Sequence, residues 1–102
     1  MTYNKLVRDK IPDIIKAQGE VPQFRLLTGE EYTLELERKL DEETAEFHKE
    51  KNLEELADIL EVVYALSENM GYAKADLLRV FEQKHENRGG FQDGVYLISK
   101  EG

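Results

Sequence analysis

The sequence predicts a mainly all-α single domain over residues 1–102, with short extended segments near both ends. Three observations predict it. Apolar residues recur at helical spacing through residues 30–70. Proline and glycine are sparse and fall between the periodic stretches. Capping residues stand where those stretches begin, as at Thr28 and Asn52.

The elements follow in order. Asp9 to Gln18 reads as a short helix, with Pro12 in its first turn, Ile11, Ile14 and Ile15 on its apolar side, and Gly19 past its end. Gln23 to Leu27 reads as a short strand. Thr28 precedes Glu31 by three residues, the spacing of a capping box, and a long helix is expected from about Glu30 to Lys51. Asn52 stands three before Glu55 and opens a second helix running to about Met70, which Gly71 ends. A third helix fits Ala73 to Asn87, stopped by Gly89-Gly90. Val95 to Ile98 reads as a second short strand, placed to pair with residues 23–27. No internal repeat, low-complexity tract or interdomain linker is visible. The second long helix is apolar on most sides (Leu56, Ile59, Leu60, Val62, Val63, Leu66). A small domain cannot cover such a helix alone, so a bundle completed by other copies of the chain is expected.

Composition narrows the function. The formal net charge is −8, which disfavours binding nucleic acid through its phosphates. The absence of cysteine excludes a disulfide scaffold, a thiolate zinc site and a cysteine nucleophile, and fits a reducing compartment. No apolar run approaches a membrane span, and the first ten residues lack the apolar core of a signal peptide. The expectation is a soluble, cytoplasmic protein. The charge is unevenly spread: residues 30–61 carry thirteen acids and four bases, whereas residues 1–29 are net basic.

Within the acidic region, position matters more than number. Leu36, Leu40 and Phe47 mark one stripe of the first long helix, and Glu43 lies within it. Glu46 is one turn further along the same flank; as a surface residue it would pair with Lys49 or Lys39. On the next helix Glu54, Glu61 and Glu68 mark the wet face, while Glu55 and Asp58 stand at its border with the apolar side. The short connection at 48–52 implies antiparallel packing, which would bring Glu43, Glu46, Glu55 and Asp58 together. Four such carboxylates require a cation, and oxygen-only ligands suit Mg²⁺, with Mn²⁺ as a substitute. Lys84 and Arg88 are four apart on the third helix, and Lys5, Arg8 and Lys10 cluster near the start. Lys84, Arg88, Lys5 and Arg8 are therefore candidates to hold phosphate. His85 reads as an exposed helix residue, and His48 falls at a helix end; neither is assigned chemistry.

These residues also carry a resemblance. KLDEETAEF (39–47) followed by EELAD (54–58) resembles the EExxE…ExxD signature of the MazG-like all-α nucleoside triphosphate pyrophosphohydrolases. YNKLVRDKIP (3–12) and KHENRGGF (84–91) resemble a subgroup akin to phosphoribosyl-ATP pyrophosphohydrolases. The resemblance implies a MazG-like helical bundle that cleaves a nucleotide between the α and β phosphates, giving monophosphate and pyrophosphate. It implies Glu43, Glu46, Glu55 and Asp58 as magnesium ligands, with Glu42 orienting or activating the attacking water. It also implies a homodimer or a dimer of dimers. One departure is the gap of eight residues between Glu46 and Glu55, shorter than the family's usual span. A non-catalytic module that senses nucleotide or metal is the alternative reading, and a bare helical assembly domain is a third.

Overall fold

The computed structural model describes residues 2–102, and its ordered elements are four helices: α1 Ile11–Ala17, α2 Gly29–Glu50, α3 Leu53–Asn69 and α4 Lys74–Arg88. Helix α1 starts two residues later than expected, because Asp9 and Lys10 form a turn before Pro12 fixes the first helical turn. The other helices lie within one or two residues of their expected bounds.

The two expected strands are absent among the described residues. Residues 23–27 and 95–98 have no ladder partner, and Val95, Tyr96, Leu97 and Ile98 all face solvent. Both runs have strand-like composition, but a strand also needs a neighbouring edge to satisfy its backbone, and the helical chain offers none.

The two capping signals behave differently. Asn52 is extended, and its Oδ1 accepts the Glu55 backbone N–H at 2.9 Å. Thr28 is also extended but makes no side-chain cap, and the Glu31 carboxylate turns outward to Arg25, 2.9 Å from Nη1. Helix α2 closes on Lys51, whose left-handed backbone (φ 46°, ψ 50°) reverses the chain within two residues. At α4 the Ala73 N–H donates to Asp76 Oδ2 at 2.9 Å.

Helices α2 and α3 form an antiparallel hairpin. At one end Thr33 Oγ1 donates to Asn69 Oδ1 at 2.9 Å. At the other, Glu43 meets Glu55 and Asp58. Leu36 (3% exposed) and Val62 (7%) are the buried apolar residues between them. Helix α4 packs on α3 alone, anchored where Lys74 Nζ sits 4.2 Å from the centre of the Tyr64 ring. A groove of about 670 Å³ lies between α3 and α4, lined by Val63, Leu66, Met70, Leu77 and Val80 among others. The molecule is elongated, 62 × 31 × 22 Å. No described helix is long and apolar enough to cross a membrane.

Candidate metal centre

Glu43 sits two turns from the end of α2 on the side facing α3, with 12% of its side chain exposed. The tight turn at Lys51 and the cap at Asn52 fix the start of α3 beside it. Glu55 and Asp58 are three residues apart on the first two turns of α3, so both project the same way. One carboxylate oxygen from each of Glu43, Glu55 and Asp58 lies within 4.8 Å of the other two.

Glu46 does not join this group. Glu43 faces α3 and is largely buried, whereas Glu46, three residues on, is exposed. Its charge is still felt: Glu55 is held above the ordinary carboxylate range by desolvation first, then by the charges of Asp58, Glu46, Glu43 and Glu50.

Glu42 also lies outside the triad. Its oxygens take Lys5 Nζ at 3.1 Å and Lys39 Nζ at 3.2 Å. Desolvation alone would raise its pKa, but the two ammonium hydrogen bonds outweigh that and hold it below the ordinary value. Lys5 is correspondingly raised, chiefly by its bond to Glu42. Lys39 also reaches Glu43 at 3.3 Å and is itself largely buried. Of the two lysines named as surface partners for Glu46, Lys39 instead serves Glu42 and Glu43. Its true partners stand three and four residues on, a helical spacing open to reading in the sequence.

The N-terminal bases divide from those of α4. Arg8 Nη2 lies 2.5 Å from Asp58 Oδ1, and Nη1 lies 3.6 Å from Glu61. Glu61, assigned only to the wet face, is thus part of the site, and nothing local in the sequence signals a partner fifty-three residues away. Lys84 and Arg88 are not brought to the carboxylates. They sit on the exposed far half of α4, which has no packing contact with α2, and neither forms an ion pair with a described residue. His85 stacks on Phe81 with ring centres 6.1 Å apart, and Tyr3 and Phe91 are exposed.

The donor set fits a hard divalent cation: oxygen only, anionic, and drawn from two rigid helices. Octahedral Mg²⁺ holds oxygens at about 2.1 Å, so opposite ligands stand about 4.2 Å apart. At most one of the three pairs can be opposite, and adjacent ligands stand about 3.0 Å apart, so the triad need close by no more than roughly 1.8 Å, a movement of carboxylate rotamers. Glu43 is largely buried, and Glu55 and Asp58 are half-buried beside it.

Comparison with known proteins adds one relative. A protein of Mycolicibacterium smegmatis, described as an uncharacterized protein, is 52% identical over 42 residues, 41% of this chain. The match spans 43% of that relative's length. No family model matches the chain, and no solved structure does.

Proposed function

We propose that this chain is a Mg²⁺-dependent nucleotide pyrophosphohydrolase, working in the cytoplasm as an assembly of identical copies. The observation that carries the reading is the convergence of Glu43, Glu55 and Asp58 from two helices. The resemblance of residues 39–58 to the EExxE…ExxD signature points the same way.

In this reading Glu43, Glu55 and Asp58 hold the cation, and Glu46 adds negative charge nearby. A bound Mg²⁺ supplies polarisation of the phosphates and an acidified water. Water adds at the α phosphorus as the bond from that phosphorus to the bridging oxygen breaks. Pyrophosphate leaves, and a site carboxylate takes the water's proton. Glu42, kept ionised by Lys5 and Lys39, orients that water as an acceptor. Lys5 and Arg8 lie beside the triad and are the bases placed to meet a phosphate chain. Lys84 and Arg88 would reach it only after α4 moves or from another copy.

Pyrophosphate release from a panel of canonical and modified nucleoside triphosphates, with Mg²⁺, Mn²⁺ or chelator, tests the proposal. Metal-dependent release with monophosphate as co-product is expected. Glu43→Gln and Asp58→Asn should each slow it by about 100-fold or more, roughly 3 kcal/mol of barrier. Equal rates in the variants and the parent would remove these residues from the site. Tight nucleotide binding without turnover would favour the sensing module, a reading that the ion pairs already occupying Asp58 and Glu42 support.

A further inference from the structure

Glu42 and Glu43 are neighbours on α2, and Lys39, one turn earlier on the same helix, reaches both. Its Nζ lies 3.2 Å from Glu42 Oε2 and 3.3 Å from Glu43 Oε1. Lys5 Nζ takes the other Glu42 oxygen, Oε1, at 3.1 Å. Both oxygens of Glu42 therefore meet an ammonium. Lys39 also joins Glu42 to the one member of the triad that α2 supplies.

This differs from the other ion pairs within helices. Arg38 with Glu35 and Arg79 with Asp76 have similar spacing, but those arginines are 66% and 63% exposed. The Lys39 side chain is 15% exposed, the lowest of any base in the described ion pairs. A lysine ordinarily lays its stem on apolar surface and keeps its charged head in water. Here the two carboxylates stand in for that water, and removing them would leave a covered charge unpaired. The α2 backbone holds the ammonium within a turn of both partners. Sites with two divalent ions keep them about 3.5–4 Å apart, close enough to share a carboxylate. Glu43 is the carboxylate common to the triad and to Lys39. A second ion bridging Glu42 and Glu43 would need the oxygens that Lys39 holds, would be repelled by its charge, and would leave that charge without partners.

We infer that Lys39 is a positioning residue that acts as a tethered second cation, holding Glu42 and Glu43 in place and limiting the site to one divalent ion per chain. The inference rests on the proposed metal site at Glu43, Glu55 and Asp58, and adds how many ions that site takes and which residue sets the number. It also separates two adjacent glutamates by role. Glu43 faces the ion, whereas Glu42, covered by two ammonium groups, is left as a hydrogen-bond acceptor for water.

Titration of the full chain with Mn²⁺, followed by electron paramagnetic resonance, counts the bound ions. Free Mn²⁺ gives a sharp signal that binding removes, and two ions about 3.5–4 Å apart couple magnetically, unlike an isolated one. The parent should bind one ion tightly per chain, with the spectrum of an isolated ion. Lys39→Met keeps the stem and removes the charge, so it should bind a second ion and show the coupled spectrum. Lys39→Arg should stay at one. Lys5→Met, which opens only Glu42 Oε1 and leaves Lys39 in place, should also stay at one. Two coupled ions on the parent or on Lys5→Met would overturn the inference. So would a Lys39→Met chain that keeps its helical circular dichroism and binds only one. If Lys39→Met does not fold, the counts on the parent and Lys5→Met decide. A folded parent that takes up no Mn²⁺ would remove the proposed metal site and the role of Lys39 with it, whereas the other failures leave that site standing.

Discussion

Arg8 occupies the Asp58 oxygen that a metal would need, so cation and guanidinium compete for one carboxylate. The pair is half exposed and worth no more than about 1 kcal/mol. Arg8→Gln should therefore tighten Mn²⁺ or Mg²⁺ binding, by up to about five-fold. Titration calorimetry measures this, and weaker binding would mean that Arg8 orders the site instead of blocking it. Glu55 carries the opposite burden. Its folded-state pKa is raised, so the folded form binds protons more readily than the unfolded form. Stability then falls as pH rises from the ordinary carboxylate range through the raised value, and stays lower above it. Glu55→Gln should raise the metal-free melting temperature at neutral pH. The gain should fade in acid, and the cost should be about 10- to 100-fold in metal affinity. A variant no more stable than the parent at pH 7 would contradict this. Glu42 has the reverse sign: its lowered pKa contributes stability above the ordinary value, lost as pH falls through the lowered one.

At the scale of elements, Thr28-x-x-Glu31 and Asn52-x-x-Glu55 look alike in the sequence, yet only Asn52 caps its helix. The Thr28 hydroxyl accepts no helix N–H, and the Glu31 carboxylate pairs with Arg25, a loop residue whose reach spacing within a helix cannot show. Asn52→Ala should cost about 1 kcal/mol, and Thr28→Ala less than about 0.5, in urea melts of the two variants. Equal losses would show that the Asn52 bond adds nothing. The same contrast divides what was legible. Glu43, Glu55 and Asp58 were readable because helical periodicity and a short link place them. Glu46 was misread, because it shares a flank with Glu43 and only the roll of α2 on α3 decides which of the two is covered. The strands at 23–27 and 95–98 were misread because an apolar run does not state whether a partner edge exists. Arg8 with Asp58 and Glu61 was hidden because that contact spans fifty residues of chain.

At the scale of the molecule, helix count and order followed from periodicity, but the extent of the core did not. An apolar face reads the same whether its own chain or another covers it. Part of what looked like a buried helix, including Leu56 and Leu60, lies at the surface of the chain. The acidic site and the uncovered apolar surface occupy different flanks of α3.

The two-residue link at Lys51-Asn52 bears on the route by which the chain acquires its shape. It makes every α2–α3 contact a short-loop event, with little entropy lost on closure. Such low contact order places hairpin formation among fast, unimolecular steps. Docking of α4 on α3 comes after that step, so the chain passes through a helical hairpin with the apolar flank of α3 exposed, and that interval is when it is most open to aggregation.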